Sequence, residues 1–463
     1  MDEPKAGPVQ FSGVVPSLAQ IADLGPPRSE LGVGCLMPWQ GKLYVQNYVS
    51  HLSSSGTGSG LRIIDEDFTM LRHPDGVDGT YANRMVHHPS NQLIIGPHVV
   101  DREHNVRTVE EFKQVRLGGS AEHLTDPQNR VYMLGMEGEL FEMDVHSLQV
   151  THLCDLTREL GTAEPLKCHF KDCYTSCGRL VVVNNDYAEA DFLGKQAEGT
   201  LAEFDGENWT VLERKPFSTV SGLGSFGHTI FATGWDRASA ILKVFTGADK
   251  TWRTYRLPKA SHLWDHKWAT EWPRIRATEH ERLLMDCHGM FYQMSPWAYG
   301  GSIWGIKPIS THLWVLGDFC SWRGLLCMGA DNASYESGGN LQCAEPQSGL
   351  WFGKTDDLWQ FGKPSGWGGP WWEEAVRGGR PSDPYLMTGF DKKCLHLTHD
   401  ASCAISFAVE VDFLGNGAWR TYDNITVPAR GYVHHEFPDG FSAHWVRVTA
   451  NYECRATAYF TYT

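Results

Sequence analysis

The feature that most limits what this chain can become is a recurrence of short apolar runs, each closed by turn residues, over most of its 463 positions. Lys42-Leu-Tyr-Val-Gln, Gln92-Leu-Ile-Ile-Gly, Arg130-Val-Tyr-Met-Leu, Arg179-Leu-Val-Val-Val, Thr229-Ile-Phe-Ala-Thr and Arg282-Leu-Leu-Met-Asp have strand length and strand composition. Asp-Pro, Asn, Gly and Ser flank them, the residues that make turns. The runs are also grouped. Asn129-Arg-Val-Tyr-Met precedes Glu139-Leu-Phe-Glu-Met-Asp, and Gly178-Arg-Leu-Val-Val-Val precedes Thr200-Leu-Ala-Glu-Phe-Asp and Trp209-Thr-Val-Leu. Strand, turn, strand ending in Asp, turn, strand is how a propeller blade reads. The expected fold is therefore all-β, a seven-bladed β-propeller, at roughly 66 residues per blade with inserted loops. One catalytic domain is expected over 1–463. Its tail, about 385–463, reads as a last blade or a small β-sandwich. The Gly-, Pro- and Trp-rich stretch from Gly362 to Arg380 reads as an ordered aromatic loop. Helical candidates such as Leu156-Thr-Arg-Glu-Leu are short, and no βαβ alternation supports a doubly wound sheet.

Charge narrows the partners. Forty Lys and Arg against 55 Asp and Glu give a net charge of −15, which argues against a phosphate backbone as the main partner. An anionic sugar remains open, because it needs only a local cluster of cations. No apolar run is long enough to span a bilayer. Twelve cysteines allow disulfides, and three sequons (Asn208-Trp-Thr, Asn332-Ala-Ser, Asn424-Ile-Thr) fit a secreted glycoprotein. The opening Met1-Asp-Glu-Pro-Lys lacks the apolar core of a signal peptide, so the expectation is a mature secreted chain with an added Met, and a cytosolic protein is the alternative.

Several polar positions could carry chemistry. His98, in Gly96-Pro-His98, and His123, in Ala-Glu-His123-Leu-Thr-Asp-Pro, sit at strand ends or turns, where an imidazole could serve as acid or base. Cys168-His169-Phe-Lys171-Asp-Cys-Tyr174 groups a His, a Lys and a Tyr, and a phenol can protonate a departing alkoxide. Arg237, in Gly234-Trp-Asp-Arg237, could hold a carboxylate in a bidentate fork, and the same holds for Arg214, Arg274 and Arg276. Each also has a structural reading: a hydrogen-bonded imidazole, a half-buried strand Tyr, an ordinary salt bridge. His51 lies in a Ser/Gly loop, and His87-His88 reads as a surface turn. The densest polar stretch runs from Arg256 to Arg276. Its His262 and His266, with Cys287 and His288, could surround zinc, although the spacing is not diagnostic. No Gly-x-Ser-x-Gly elbow, Walker loop or His-Glu-x-x-His motif occurs.

Longer motifs carry a resemblance. Leu257-Pro-Lys-Ala-Ser-His, Thr270-Glu-Trp-Pro-Arg-Ile-Arg, His288-Gly-Met-Phe-Tyr, Asp356-Asp-Leu-Trp-Gln-Phe-Gly-Lys-Pro and Ser382-Asp-Pro-Tyr-Leu-Met-Thr-Gly-Phe-Asp-Lys-Lys resemble those of seven-bladed β-propeller carbohydrate enzymes. That group contains the L-rhamnose-α-1,4-D-glucuronate lyases and the α-L-rhamnosidases acting on arabinogalactan and gum arabic, with ulvan lyases more distant. The resemblance spans roughly residues 30–463. It implies two His, a Tyr and an Arg around a central pocket, matched here by His98, His123, Tyr174 and Arg237, with Arg214, Lys171, His169 and Tyr187 as substrate-binding candidates. After Asn184-Asn185, where a lyase carries a neutralising Arg, this chain reads Tyr187-Ala-Glu-Ala, so Arg237 or Arg214 stands in. For the rhamnosidases it implies one His on the opposite propeller face, matched by His51. The implied reaction is β-elimination releasing terminal rhamnose from glucuronate, with hydrolysis at His51 or non-catalytic glycan binding as alternatives. It requires no cofactor, leaves a structural calcium or zinc ion open, and makes the partner an acidic polysaccharide or arabinogalactan-protein glycan bound by a monomer.

Overall fold

The computed structural model describes residues 19–20, 30–49, 60–162, 168–186, 199–224, 227–261, 273–279, 282–299, 302–303, 305–312, 316–333 and 349–463. The rest of the chain, which carries His51, Tyr187, His262 and His266, lies outside the described residues.

Up to Gly353 the described strands form seven four-stranded antiparallel meanders. Their first strands are Glu30–Trp39, Arg84–His87, Leu117–Glu122, Cys168–Ser176, Phe217–Gly222, Arg274–Glu279 and Leu316–Trp322. Each first strand touches the next, and the seventh touches the first, so the seven close into a ring. This is a β-propeller, and the meanders are numbered as blades 1 to 7 in that order. Blade 7 takes its outermost strand from the other end of the chain: Ala19–Gln20 pairs with Gly349 and Leu350. The ring therefore closes without the tail.

A blade strand is buried on both faces, and its alternate side chains serve different neighbours. In the second strand of blade 4, Leu180 and Val182 pack toward blade 3, while Val181 and Val183 pack toward blade 5. That is why Arg179-Leu-Val-Val-Val is apolar at every position after Arg179. Four tight turns share one solution: Gln40-Gly41, Cys177-Gly178, His288-Gly289 and Arg323-Gly324 all place both residues at positive φ. Two successive left-handed residues make the hairpin turn whose twist matches the strands it joins, and Gly at the second position adopts it without steric cost.

The tail forms two layers of four strands, the first continuing the blade 5 sheet through the parallel pair Arg256–Tyr385. One orders Tyr385–Leu386, Trp445–Ala450, Ile405–Asp412 and Arg420–Val427. The other orders Gly366–Val376, Cys454–Tyr462, Lys393–His399 and Tyr432–Glu436. The aromatic stretch read as a loop is therefore, over Gly366–Val376, an eleven-residue strand. Its two register shifts against Cys454–Tyr462, between Gly368 and Trp371 and between Trp371 and Glu374, let the Gly-Gly-Pro-Trp-Trp run bend within a sheet. Ile405–Asp412 alternates buried and half-buried positions until its last two residues, Val411 and Asp412, which are both buried.

The sandwich shares one core with blades 5 and 6: Phe407, Val448 and Phe460 belong with Leu242, Tyr255 and Met285. Tyr255 packs on Trp445, with ring centroids 4.8 Å apart. At the seam Arg256 forks onto Asp236 at 3.0 and 2.9 Å and sends its Nε to Asp383 at 3.1 Å. Because the core is continuous, Phe460→Ala is expected to cost about 3–5 kcal/mol. Denaturant unfolding followed by tryptophan fluorescence should shift as a single transition. A separate early transition for the sandwich would contradict a shared core.

Candidate functional site

The inner strands enclose a cavity of about 780 Å³ to which all seven blades contribute, chiefly from the later halves of these strands. Pro38, Arg84, Glu122, Tyr174, Ser221, Arg276 and Ser321 represent blades 1 to 7 in its wall. A propeller channel is a natural ligand site because seven strand ends converge there.

The floor is built on Asp318, which is fully buried. Its Oδ2 lies 2.6 Å from Arg84 Nε and accepts the Leu36 amide at 2.8 Å, while its Oδ1 accepts Arg276 Nε at 2.7 Å. Burial alone would raise the Asp318 pKa, but the guanidiniums of Arg276, Arg84 and Arg274 outweigh it and hold the carboxyl below its ordinary value. Arg274, also buried, is pushed down to about 10 by burial and by the repulsion of Arg276. Asp172 is the second floor carboxylate. It accepts Thr219 Oγ1 at 2.9 Å and the Val220 amide at 3.2 Å, and burial raises its pKa against the pull of Arg276 and Arg274. Three guanidiniums thus face two carboxylates, one of which resists ionisation. Arg276 uses its Nε on Asp318 and its Nη1 on the Ile275 carbonyl, and its Nη2 has no partner among the described residues. Arg84, Arg276 and Asp172 reach the cavity surface while Asp318 and Arg274 lie behind it, so an anion entering the cavity meets an open guanidinium edge at Arg276.

On the wall, Tyr174 stands between blades 4 and 5. Gly222 makes room for it: a Cβ there would come within 2.9 Å of the ring. Burial, helped by the charges of Glu122 and Cys177, pushes the Tyr174 pKa up to about 12, so the phenol is protonated at neutral pH. Its hydroxyl has no hydrogen-bond partner among the described residues, and neither has the exposed carboxylate of Glu122 at the end of the blade 3 inner strand.

Of the candidates read from sequence, the structure brings His88, His123, Tyr174 and Arg276 to this cavity and leaves the other described ones out. His123 lines it with both ring nitrogens engaged. Nδ1 accepts the amides of Asp126 at 3.1 Å and Thr125 at 3.3 Å, Nε2 lies 3.4 Å from Glu142, and the ring stacks on Tyr132 at 4.4 Å. His98 is off the cavity, where the second strand of blade 2 turns into the third. It is fully buried, its Nε2 accepts the Val77 amide at 3.4 Å, and its Nδ1 bonds Thr108 Oγ1 at 3.0 Å. Burial, with smaller contributions from His73 and Lys113, pushes its pKa down to about 3, so it is a neutral structural imidazole.

Arg237 lies at the seam with the sandwich, 4.4 Å over the Trp372 ring and 3.6 Å from Glu373, because the second strand of blade 5 runs behind the channel. Arg214 bonds the Leu160 and Gly161 carbonyls that follow the helix Leu156–Glu159 and donates to Thr200 Oγ1 at 3.2 Å. His169 and Lys171 precede the cavity-lining part of their strand. They contact each other at 3.3 Å, and His169 also meets Arg116 at 3.3 Å.

Cys287 and His288 are buried in blade 6, where His288 meets Trp235 edge to face. Among the described residues no three His, Cys, Asp or Glu side chains converge as a metal would require. The ten described cysteines are free thiols, including Cys320 and Cys327, which face each other across blade 7. Among the described residues no helix is long and apolar enough to cross a membrane.

Sequence reasoning missed Arg84, Asp318 and Glu122. A signal existed for Asp318: an acid between Leu316-Gly and Phe-Cys interrupts an apolar strand, and a buried charge implies a buried partner. Nothing local says that the partners come from blades 2 and 6.

No protein-family model and no curated protein matches the chain. Among solved structures, the β-propeller domain of Myceliophteria thermophila Cps50 (Swd1) is similar at 12% identity and a TM-score of 0.40, covering 69% of this chain and 96% of that one. A luciferin-regenerating enzyme gives 9% identity and 0.39 over 74% and 94%, and the RRP9 WD40 repeats give 8% and 0.43 over 71% and 98%. All three are likenesses of architecture and transfer no activity to this chain.

Two outcomes test this site description. Asp318→Asn leaves Arg84 and Arg276 without their shared anion and is expected to cost about 3–5 kcal/mol in urea unfolding at pH 7. A loss under 1 kcal/mol would contradict the buried cluster. His98, with its folded pKa depressed, binds its proton more readily in the unfolded chain. Its contribution is full above the unfolded value of about 6.5 and falls by about 1.4 kcal/mol per pH unit as pH drops toward 3. His98→Gln should flatten the stability profile over that window, and an unchanged slope would show that His98 is not neutral.

Proposed function

We propose that this protein is a secreted carbohydrate lyase that releases terminal L-rhamnose from α-1,4-linked D-glucuronate on arabinogalactan-type glycans by β-elimination in the central cavity. One observation carries the reading: the cavity combines an open guanidinium edge at Arg276 with a protonated Tyr174 hydroxyl that no described residue engages. A uronate C5 proton is weakly acidic while its neighbouring carboxylate keeps its charge. A guanidinium on that carboxylate stabilises the negative charge that develops at C5, which is electrostatic catalysis of the kind a buried cluster provides. Arg276, backed by Arg84, takes that role in place of Arg237. Tyr174 protonates the C4 oxygen that leaves with rhamnose. This chemistry requires no metal or organic cofactor, and the partner is an acidic polysaccharide bound by a monomer.

A second reading, non-catalytic recognition of an acidic glycan in the same cavity, draws on the engagement of both His123 ring nitrogens and on His98 lying off the cavity. A rhamnosidase centred on His51 rests on a residue outside the described ones.

Incubation with gum arabic, following released rhamnose and the ultraviolet absorbance of an unsaturated uronate, separates the three. Rhamnose with rising absorbance is the expected result. Rhamnose without it means hydrolysis and points to His51, and binding without release means recognition alone. Tyr174→Phe should lower turnover by about 10²–10⁴-fold with the fold intact. Wild-type turnover in that variant would remove Tyr174 from the chemistry.

A further inference from the structure

An eliminase also needs a base, and neither histidine read from the sequence can serve. His98 lies off the cavity. His123 would have to present an unprotonated Nε2, but its Nδ1 accepts two backbone amides, which fixes the proton on Nε2 toward Glu142. Moving that proton to Nδ1 would set it against two N–H groups. Asp172 lines the cavity, but both its oxygens are committed, to Thr219, Val220 and Cys173. Cys177 donates to the His228 carbonyl. Of the cavity's remaining titratable groups, His88, His228 and Glu122 are all exposed, and neither histidine is among the groups whose charge acts on Tyr174. Glu122 is the one with an unengaged basic oxygen whose charge is felt at Tyr174, from the end of the adjoining inner strand.

Resting on the elimination reading, we propose that Glu122 is the catalytic base of the cavity, paired with Tyr174 as the acid. The Glu122 carboxylate takes the C5 proton, and the C5–H electron pair becomes the C4=C5 double bond. The C4–O bond breaks, and its oxygen leaves with rhamnose and receives the Tyr174 proton. Glu122 then carries one proton and Tyr174 lacks one, so transfer from carboxylic acid to phenolate, directly or through water, restores both. No oxidant, reductant or metal enters the balance. The two groups sit on neighbouring blades, so one sugar ring between them presents its C5 hydrogen and its C4 oxygen to different strands.

The test compares the wild type, Glu122→Gln, Glu122→Ala and Glu122→Asp as full chains on gum arabic, reading absorbance for elimination and calorimetric titration for binding. Glu122→Gln is expected to lose about 10²–10⁴-fold in kcat with binding within threefold of wild type. Glu122→Asp should recover part of the loss, and added formate should revive Glu122→Ala. Elimination by Glu122→Gln at wild-type rates overturns the base assignment and leaves the lyase reading standing. So does loss of elimination in His228→Ala or His88→Ala without loss in Glu122→Gln. A wild-type protein that binds the polymer but produces no unsaturated product overturns both, and the binding signal identifies the lyase reading as the one that failed first.

Discussion

Asp318 is the contact on which the middle of this molecule turns. One carboxylate at the start of the last blade receives a guanidinium from blade 2, another from blade 6 and an amide from blade 1. Ring closure otherwise rests on apolar faces, which fit a neighbour without naming it, and on a short backbone pairing of Glu30, Leu31 and Gly32 with Ala333, Asn332 and Asp331. A buried acid with partners on both sides of the seam is selective in a way that apolar contacts are not, because a slipped arrangement would strand charges in the interior. The same arrangement holds the guanidiniums of Arg84 and Arg276 at the channel surface. Geometry and electrostatics therefore have one source: the ion cluster that ties the closing blades together is also the anion-attracting floor of the cavity.

The strand pattern, and with it the all-β propeller, was legible because blades are local objects. A hairpin is written within about twenty residues, and its turns announce themselves through pairs such as Cys177-Gly178. The sandwich was half legible. Ile405–Asp412 alternates plainly, but Gly366-Trp-Gly-Gly-Pro-Trp-Trp looks like a loop unless the register shifts that accommodate it are known. The cavity was least legible. Tyr174 was readable as a candidate from its company. Arg84 and Asp318 are separated by more than two hundred residues and meet only because the ring closes. Arg237 and His98 show the converse error. Each has a plausible local motif, yet the second and third strands of a blade stand behind the channel, and neither reaches it.

The cavity also shows how an acidic protein can address an acidic ligand. A net charge of −15 repels polyanions from most of the surface. The floor cations are screened from solvent and partly neutralised by Asp318 and Asp172, so they act at short range. A uronate would feel them once inside, where the dielectric is low, and little before. Such a site discriminates by shape first and charge second, consistent with a terminal sugar as ligand rather than a chain captured from afar.

Blade 7 is stitched from both ends of the propeller sequence, with Ala19–Gln20 on its outer edge. During synthesis this edge strand is made before every other described propeller strand and waits for Gly349–Gly353, more than three hundred residues later, before it has anywhere to pair. Until then blade 7 lacks its outer strands, leaving unpaired backbone of the kind that recruits other chains. The last propeller strand to be made is thus what retires the first one from circulation, and a ribosome that stalls before Gly349 would release a chain with an open, adhesive seam.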